Sequence, residues 1–458
     1  LTVLAGAVLL GGASFLVEAA ELPVNLQSML QKSASLGSSK FPIGFWNYTN
    51  LTEHGKYMDE AEVEEWADAG FTVTMSSNFD ISKPEQIQHM HRMLRWADKH
   101  GMKLILCDPR TYAPQTVSED HKKQIAAALA EFKDSPGFFG FHIGDEPGAN
   151  SNDFFKAYRM TKEAAPRFHP FANLLPYWPG AEKHVGYPSW PEYLDAAVQK
   201  GKMDFLCWDC YAQMNPGISG WNMYYENLRL YREAAWRNGV PFWTTILSVG
   251  HFRYRCPNYD ELRWQFNTAI CSGANGILWF FYYMRQPHAN YRLSPVDENW
   301  DRTQTYYDIR RFQKDFHRHY GDLFLHLAPT RVTFYPEPFG GGKAFTPNAL
   351  VSEVRPDKEG HPLLIGEFVD IQGRRYVMLV NNSTTESVRA MLAFPGEDVK
   401  IHSWNWYGKE YEGGAYAADS LERKDNGIQV WHWLAPGQEV VYRVDSEKVR
   451  GTKVVAEP

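Results

Sequence analysis

From residue 41 the apolar positions change period in a regular rhythm. Runs rich in β-branched and aromatic residues lie at 42–48, 71–78, 102–108, 138–145, 168–175, 203–211, 241–249 and 276–283. Each has the length of one buried strand. Between them apolar residues recur three and four apart, over 60–69, 84–100, 118–133, 151–165, 190–200, 223–238 and 260–272. That is the spacing of a single helix face. Pro84 opens the second of these segments, at the helical position where a missing N–H is harmless. Gly70, Gly101, Gly201, Gly239 and Gly273 follow the ends of five, where a left-handed residue is expected to close the helix. Eight strand–helix units predict an α/β fold, a closed (β/α)8 TIM barrel over residues 41–325. A doubly wound sheet shares the alternation, but no glycine-rich phosphate loop accompanies it here.

After residue 325 the helical period disappears. Short strands are expected at 331–335, 363–370, 375–381, 387–393, 400–406, 428–433 and 439–444. They predict a C-terminal antiparallel β-sandwich over 326–447, with Asp370-Ile371-Gln372-Gly373 as a hairpin turn. A charged tail, 448–458, should fray. At the other end, residues 1–20 are apolar and small and run into Val17-Glu18-Ala19-Ala20-Glu21, the pattern of a signal peptide ahead of a linker at 21–40. The apolar run is shorter than the ~20 residues a spanning helix needs. A secreted or periplasmic protein without membrane insertion is the expectation.

Composition narrows the partner. A net charge of −7 with no basic stripe leaves nothing to displace counterions from a phosphate backbone, so no nucleic-acid partner is expected. The 16 Trp, 25 Tyr and 27 Phe mostly supply cores, but the tryptophans also suggest surfaces on which sugar rings stack. Five cysteines, at 107, 207, 210, 256 and 271, are too few and too scattered for a disulfide framework. Cys207 and Cys210 fall within a strand, on opposite faces, with no second ligand pair; they read as structural. Neither a metal nor a cofactor is expected. Asn47-Tyr48-Thr49 and Asn382-Ser383-Thr384 match glycosylation sequons.

In a barrel of this class catalytic groups sit at the C-terminal ends of the strands. Those ends hold Trp46, Asn78, Asp108, Arg110, Asn173, Trp208, Asp209, Tyr211, His251, Trp279 and Tyr283, the candidate substrate-binding set together with His142. The most specific segment is the fourth strand, Phe138-Phe139-Gly140-Phe141-His142-Ile143-Gly144-Asp145-Glu146-Pro147. Strict alternation puts Phe139, Phe141 and Ile143 toward the helices. His142 and Glu146 then face the interior, and Asp145 faces outward unless the strand has already ended. A glutamate in an aromatic-lined cleft should have a raised pKa, as a general acid needs. Glycoside cleavage needs a second carboxylate. Asp209 is the leading candidate, with Asp145 and Asp108 in reserve.

The segment from Gly140 to Gly148 resembles the fourth strand of clan A barrel glycoside hydrolases. The stretches 248–251, 261–265 and 273–280 resemble secreted bacterial proteins related to the family 42 β-galactosidases, and the likeness covers about residues 41 to 325. It implies that Glu146 is the acid/base. Two positions depart from that clan's pattern. Asp145 stands where it has Asn, and Leu247-Ser248-Val249-Gly250-His251 carries no carboxylate where it places the nucleophile. An Asp-Glu pair on strand four with Asp209 and Tyr211 on strand six looks more like hexosaminidase- and chitinase-type barrels, which use the substrate's acetamido group. Barrels of the α-galactosidase kind also place their two carboxylates on strands four and six.

The expected function is an exported glycoside hydrolase acting on an oligo- or polysaccharide, with Glu146 as acid/base, Asp209 as second carboxylate and retention of configuration. An acetamido-assisted hydrolase and a non-catalytic glycan-binding barrel are the alternatives. The Glu146–Asp209 separation should discriminate mechanisms: ~5 Å for a covalent intermediate, ~6.5–9.5 Å for inversion.

Overall fold

The computed structural model describes residues 22–37, 40–285, 290–405, 407–415 and 420–457. The expected signal peptide lies outside these residues. All eight expected strands form: β1 (Ile43–Phe45), β2 (Val73–Met75), β3 (Lys103–Leu106), β4 (Phe138–Asp145), β5 (Phe171–Asn173), β6 (Leu206–Asp209), β7 (Phe242–Leu247) and β8 (Ile277–Phe280). They pair in parallel as two runs, β2-β3-β4-β5 and β6-β7-β8-β1. Backbone hydrogen bonds join the runs at both seams, from Thr72 N to Ile43 O (2.8 Å) and from Leu174 N to Cys207 O (2.7 Å). The sheet therefore closes into a barrel with its strands in sequence order.

The β1–β2 seam shows how closure is achieved. Ile43 N and Phe45 N donate to the hydroxyls of Thr72 and Thr74, at 2.9 and 3.1 Å. Side-chain oxygens here replace part of the carbonyl ladder. Gly44 permits the approach, because a Cβ there would lie 1.9 Å from Val73 O. Within the barrel Val73, Met75, Ile105, Phe139, Phe171 and Trp243 pack as one apolar cluster.

Helices Glu60–Asp68, Pro84–Lys99, Glu119–Phe132, Ser151–Ala164, Trp190–Gln199, Trp221–Asn238 and Tyr259–Cys271 follow β1 to β7. Each lies within two residues of its expected bounds. An eighth, Gln304–His319, completes the ring after a long loop. Its Tyr306, Ile309, Phe312 and Phe316 form an apolar stripe so diluted by charge that the sequence pattern did not register it. Gly70, Gly101, Gly239 and Gly273 take the left-handed conformation expected of them, but Gly201 does not; Lys202 does so in its place (φ +60).

Two terminal expectations are overturned. The stretch read as a linker holds a helix, Val24–Leu36, that buries Leu26, Met29, Leu30 and Leu36. Ser28 Oγ donates to Gly239 O (2.8 Å) and Ser33 Oγ to Leu325 O (2.9 Å), while Leu36 joins the cluster inside the barrel. The helix thus covers the barrel's N-terminal end. The tail does not fray: Val449 and Val454 are buried, and Glu457 N donates to Thr330 O (2.8 Å).

The C-terminal strands form a seven-stranded and a four-stranded sheet, antiparallel throughout except at the edge where Lys343–Ala344 runs parallel to Ala328–Tyr335, with a separate core between them that includes Val354, Ile365, Leu379, Leu392 and Val430. The Asp370–Gly373 turn joins Leu363–Val369 to Arg375–Asn381 as expected, with the Asp370 carboxylate accepting from Gln372 N and Arg374 N at 2.9 and 3.0 Å. Asn382 Oδ1 accepts from Tyr225 OH (2.5 Å) and Trp264 Nε1 (2.8 Å), tying the sandwich to two barrel helices.

Replacement of Gly44 by Ala should force β1 away from Val73 and open the seam. A loss of ~1–3 kcal/mol or more is expected for such overpacking. Urea unfolding of the variant against the wild type measures it; an unchanged midpoint would mean that the seam tolerates a methyl group.

Candidate active site

The chemistry of β4 depends on two breaks in its alternation. Leu104 and Ile105 of β3 pair with Phe138 and Gly140, so Phe139 is an extra residue; it turns into the barrel, against expectation. Downstream, His142 and Gly144 pair with the adjacent residues Phe171 and Ala172 of β5, which makes Ile143 a second extra residue. Such a bulge exchanges the faces of everything after it. Phe141 and Ile143 face the helices as expected. Asp145, expected outward, faces inward opposite Asn173. Gly144 has φ +152, and a Cβ there would meet the Phe154 ring at 2.9 Å, so a side chain at this bulge is excluded twice over. Glu146 then adopts φ +46, a left-handed conformation that costs a non-glycine residue of order 1–3 kcal/mol. Its N–H donates to Asn173 O (2.9 Å).

Asp145, Glu146 and Asp209 consequently converge at the C-terminal end of the barrel. Asn173 bridges the aspartates, its Nδ2 donating to Asp145 Oδ1 (3.0 Å) and Asp209 Oδ1 (2.7 Å). Glu146 lies within hydrogen-bonding reach of Asp209, which also receives a bond from Tyr211. Solvent reaches the carboxyls of Asp145 and Glu146 through the mouth, but protein encloses them on the remaining sides. This enclosure and, next, the Asp209 charge raise Asp145 to about 7, against the opposing Asn173 bond. The same enclosure and the charges of Asp209 and Asp145 raise Glu146 to about 8. Burial raises Asp209 as well, while the bonds from Asn173, Glu146 and Tyr211 hold it down. Three like charges cannot all be held this close, so near neutral pH Glu146 keeps its proton and offers it toward Asp209.

Aromatic rings surround the carboxyls. Tyr211 stacks on Phe280 (5.5 Å, 28°) and meets His251 and Tyr254 edge-on. His251 is packed among Tyr211, Tyr254, Phe280 and Tyr291, with Nδ1 3.2 Å from Val249 O. Across the mouth, Tyr48 is raised above the ordinary phenol range by burial and then by Asp145. Trp46 and His142 lie in edge contact at 5.4 Å within the barrel. His142 is buried, and that burial lowers it to about 4; it is a neutral ring at physiological pH.

The other sequence candidates lie elsewhere. Trp208 stacks on Tyr231 (3.9 Å, 11°) in the helix layer. Trp279 also faces that layer, where its Nε1 donates to Gln313 Oε1 (2.7 Å). Tyr283 OH bridges Trp66 Nε1 and Glu62 there. Trp208 and Trp279 belong to the wrong face of their strands for contact at the carboxyls, while Tyr283 lines a separate cavity beyond Tyr48. Asp108 is fully buried and forks onto Arg110 at 2.7 and 3.0 Å, with Arg110 over the Phe132 ring; the pair fixes a turn. Asn78 is at the rim, held by Tyr112 OH (2.9 Å). Sequence reasoning missed Phe280, Tyr48 and Tyr254. The parity of β8 could have found the first, since Leu278 lies inside the barrel and Phe280 shares its face.

Ser248, where a strand-seven nucleophile would stand, donates to Phe281 O (2.9 Å) and is buried. All five cysteines are free thiols, with Cys207 in the barrel interior and Cys210 in the helix layer. Both sequon asparagines, Asn47 and Asn382, are buried, out of reach of glycosylation in the folded chain. Among the described residues no group of three His, Cys, Asp or Glu side chains is arranged to hold a metal ion, and no helix is long and apolar enough to cross a membrane.

No protein-family model matches the chain, and no curated protein matches it in sequence. Among solved structures it is similar to the β-galactosidase of the psychrophilic Marinomonas ef1, at 10% identity over 60% of this chain and 59% of that one, with a TM-score of 0.47. A family 39 glycoside hydrolase of Bacteroides cellulosilyticus WH2 is 11% identical over 90% of this chain and 82% of its own, with a TM-score of 0.49. Saccharomyces cerevisiae Gas2p, solved with laminaritetraose and laminaripentaose, is 11% identical over 61% of this chain and 64% of its own, at a TM-score of 0.45. The chain thus spans 59% of the length of the Marinomonas enzyme.

The crowding of Asp145 has a pH signature. Its carboxyl titrates near 7 in the folded chain and near ~3.9 when unfolded, so folding favours the protonated form. The penalty is absent below the unfolded value and grows as pH rises through about 7. Asp145→Asn should raise the melting temperature at pH 8 and leave it unchanged near pH 4, as scanning calorimetry at both values will show. An equal effect at the two would rule out the crowding.

Proposed function

We propose that the chain is a glycoside hydrolase in which Glu146 is the general acid/base and Asp209 the second carboxylate. The observation that carries this is the convergence of Asp145, Glu146 and Asp209 at the catalytic end of a closed barrel, with Glu146 held protonated at neutral pH. A protonated carboxyl beside an ionised one, open to solvent and walled by Tyr48, Tyr211 and Phe280, can protonate a leaving oxygen. The ionised partner can meanwhile stabilise positive charge on the sugar ring. Asn173 and Tyr211 orient Asp209 and favour its charged form for that task. The rings offer apolar faces against which a pyranose can lie.

Asp209 acts on Glu146 both through its charge and through a hydrogen bond, a closeness that does not suit the ~6.5–9.5 Å of an inverting pair. A second reading rests on the Asp145–Glu146 pair of β4 facing Asp209 and Tyr211 of β6: the substrate's own acetamido oxygen attacks, and Asp209 or Asp145 orients its N–H. On that reading aryl N-acetylhexosaminides are cleaved and the parent aryl hexosides are not. On the first, Asp209→Gly is rescued by azide with inverted product. Export through residues 1–20 remains part of the proposal, and fractionation of an expressing host tests it.

Glu146→Gln should lower kcat on the best aryl glycoside by ~10²–10⁴, the usual contribution of a positioned acid/base. It should also remove the alkaline limb of the pH–rate profile that Glu146 imposes near pH 8. Full activity in this variant would sink the assignment. Absence of turnover across neutral and N-acetylated glycosides in the wild type would favour a glycan-binding barrel.

A further inference from the structure

Tyr48 separates the carboxyls from a second cavity. On one side its hydroxyl feels the charges of Asp145 and Asp209. On the other its ring lines a cavity of about 380 Å³, formed by the loop after β1 and the long loop after β8. Both loops emerge at the catalytic end, so the two spaces are neighbours. One wall of the cavity is Trp300, stacked on Tyr57 (4.2 Å, 18°) and flanked by Tyr283 and His54. The indole packs against the edge of the apolar core and is half-buried, so part of it stays open to the cavity.

The remaining lining is polar and has capacity to spare. The guanidinium of Arg285 lies 4.3 Å over the Tyr48 ring, and among the described residues it has no carboxylate partner. Glu298 is exposed and likewise unpaired among them. Among the described residues the Glu53 carboxylate accepts only from Asn50 Nδ2, at its own helix start. Asp297 uses one carboxylate oxygen, Oδ1, for the N–H groups of Asn299 and Asp301, which leaves the other available. Carboxylate oxygens that accept, a guanidinium that donates and an aromatic wall are the groups that recognise a ring bearing several hydroxyls.

Charge selects among such rings. Glu53, Asp297 and Glu298 outnumber Arg285 around the cavity. A uronate or sulfated sugar would enter a negative field; a neutral one would not be opposed. We propose that this cavity is a second sugar-binding subsite, which takes a ring of a neutral glycan whose neighbouring ring lies over the carboxyls. The proposal rests on the glycoside-hydrolase reading and gives it a substrate class: a neutral chain of at least two residues, gripped on both sides of Tyr48.

Glu146→Gln protein, titrated calorimetrically with cellotetraose, laminaritetraose, xylotetraose, mannotetraose and tetragalacturonate, tests this. At least one neutral tetrasaccharide should bind, and tetragalacturonate should not. Adding Trp300→Ala should weaken that binding tenfold or more. Adding Glu298→Ala, at an exposed position whose loss leaves the fold intact, should weaken it at least threefold. The subsite is overturned if both double variants bind within twofold of the parent, if tetragalacturonate binds more tightly than any neutral chain, or if no neutral chain binds. Aryl glycoside turnover by the wild type and its loss in Glu146→Gln judge the hydrolase reading separately, because an aryl monoglycoside needs only the carboxyl side of Tyr48.

Discussion

Neighbouring residues of a regular strand point to opposite faces, and a barrel strand can therefore offer its mouth only every second side chain. Asp145 and Glu146 are adjacent, yet both reach the mouth. The extra residue at Ile143 turns Asp145 inward, and the left-handed backbone of Glu146 brings the next side chain back to the same side. Gly144 is the residue that tolerates the bulge, and Pro147 ends the ladder directly afterwards. The strain at Glu146 is thus the cost of placing two acids from one strand beside a third, Asp209, from another.

Once three carboxyls share so small a space, the rest of the site follows from managing their repulsion. Asn173 holds both aspartates with one amide, Tyr211 supports Asp209, and the excess negative charge is relieved by a proton on Glu146. Beneath them Trp46 and a neutral His142 fill the barrel without adding charge. Stabilising this arrangement falls to the closed barrel itself: Gly44 and the two threonine hydroxyls at the β1–β2 seam, the helix Val24–Leu36 over the opposite end, and the sandwich tied down through Asn382.

Much of this was legible along the chain. The eight strands and seven of their helices followed from period alone, because a fully buried strand and a half-buried helix leave different spacings of apolar residues. Glu146 stood out because a small-and-polar parity inside a barrel is unusual, and Asp209 because it ends the sixth strand on the interior face. The helix Val24–Leu36 was written at Leu26, Met29 and Leu30 and was overlooked beside a more conspicuous apolar terminus. The aromatics misled. Trp208 and Trp279 have the chemistry of sugar platforms, but strand parity sends them to the helix layer, whereas Phe280 takes the place at the mouth.

What the sequence determined by itself was the alternation of elements, the closed barrel with its sandwich, and the strand ends at which carboxyls would gather. Those are consequences of local period and of the fold's fixed polarity. Which side chains meet was decided only in three dimensions. An inserted residue in β4 leaves no mark on hydrophobicity, since Phe139 and Ile143 are apolar on either face, yet it reverses the direction of every side chain beyond it. The pairing of Glu146 with Asp209, the bridge through Asn173 and the cavity behind Tyr48 all depend on that register, which is set by hydrogen bonds between strands distant in sequence.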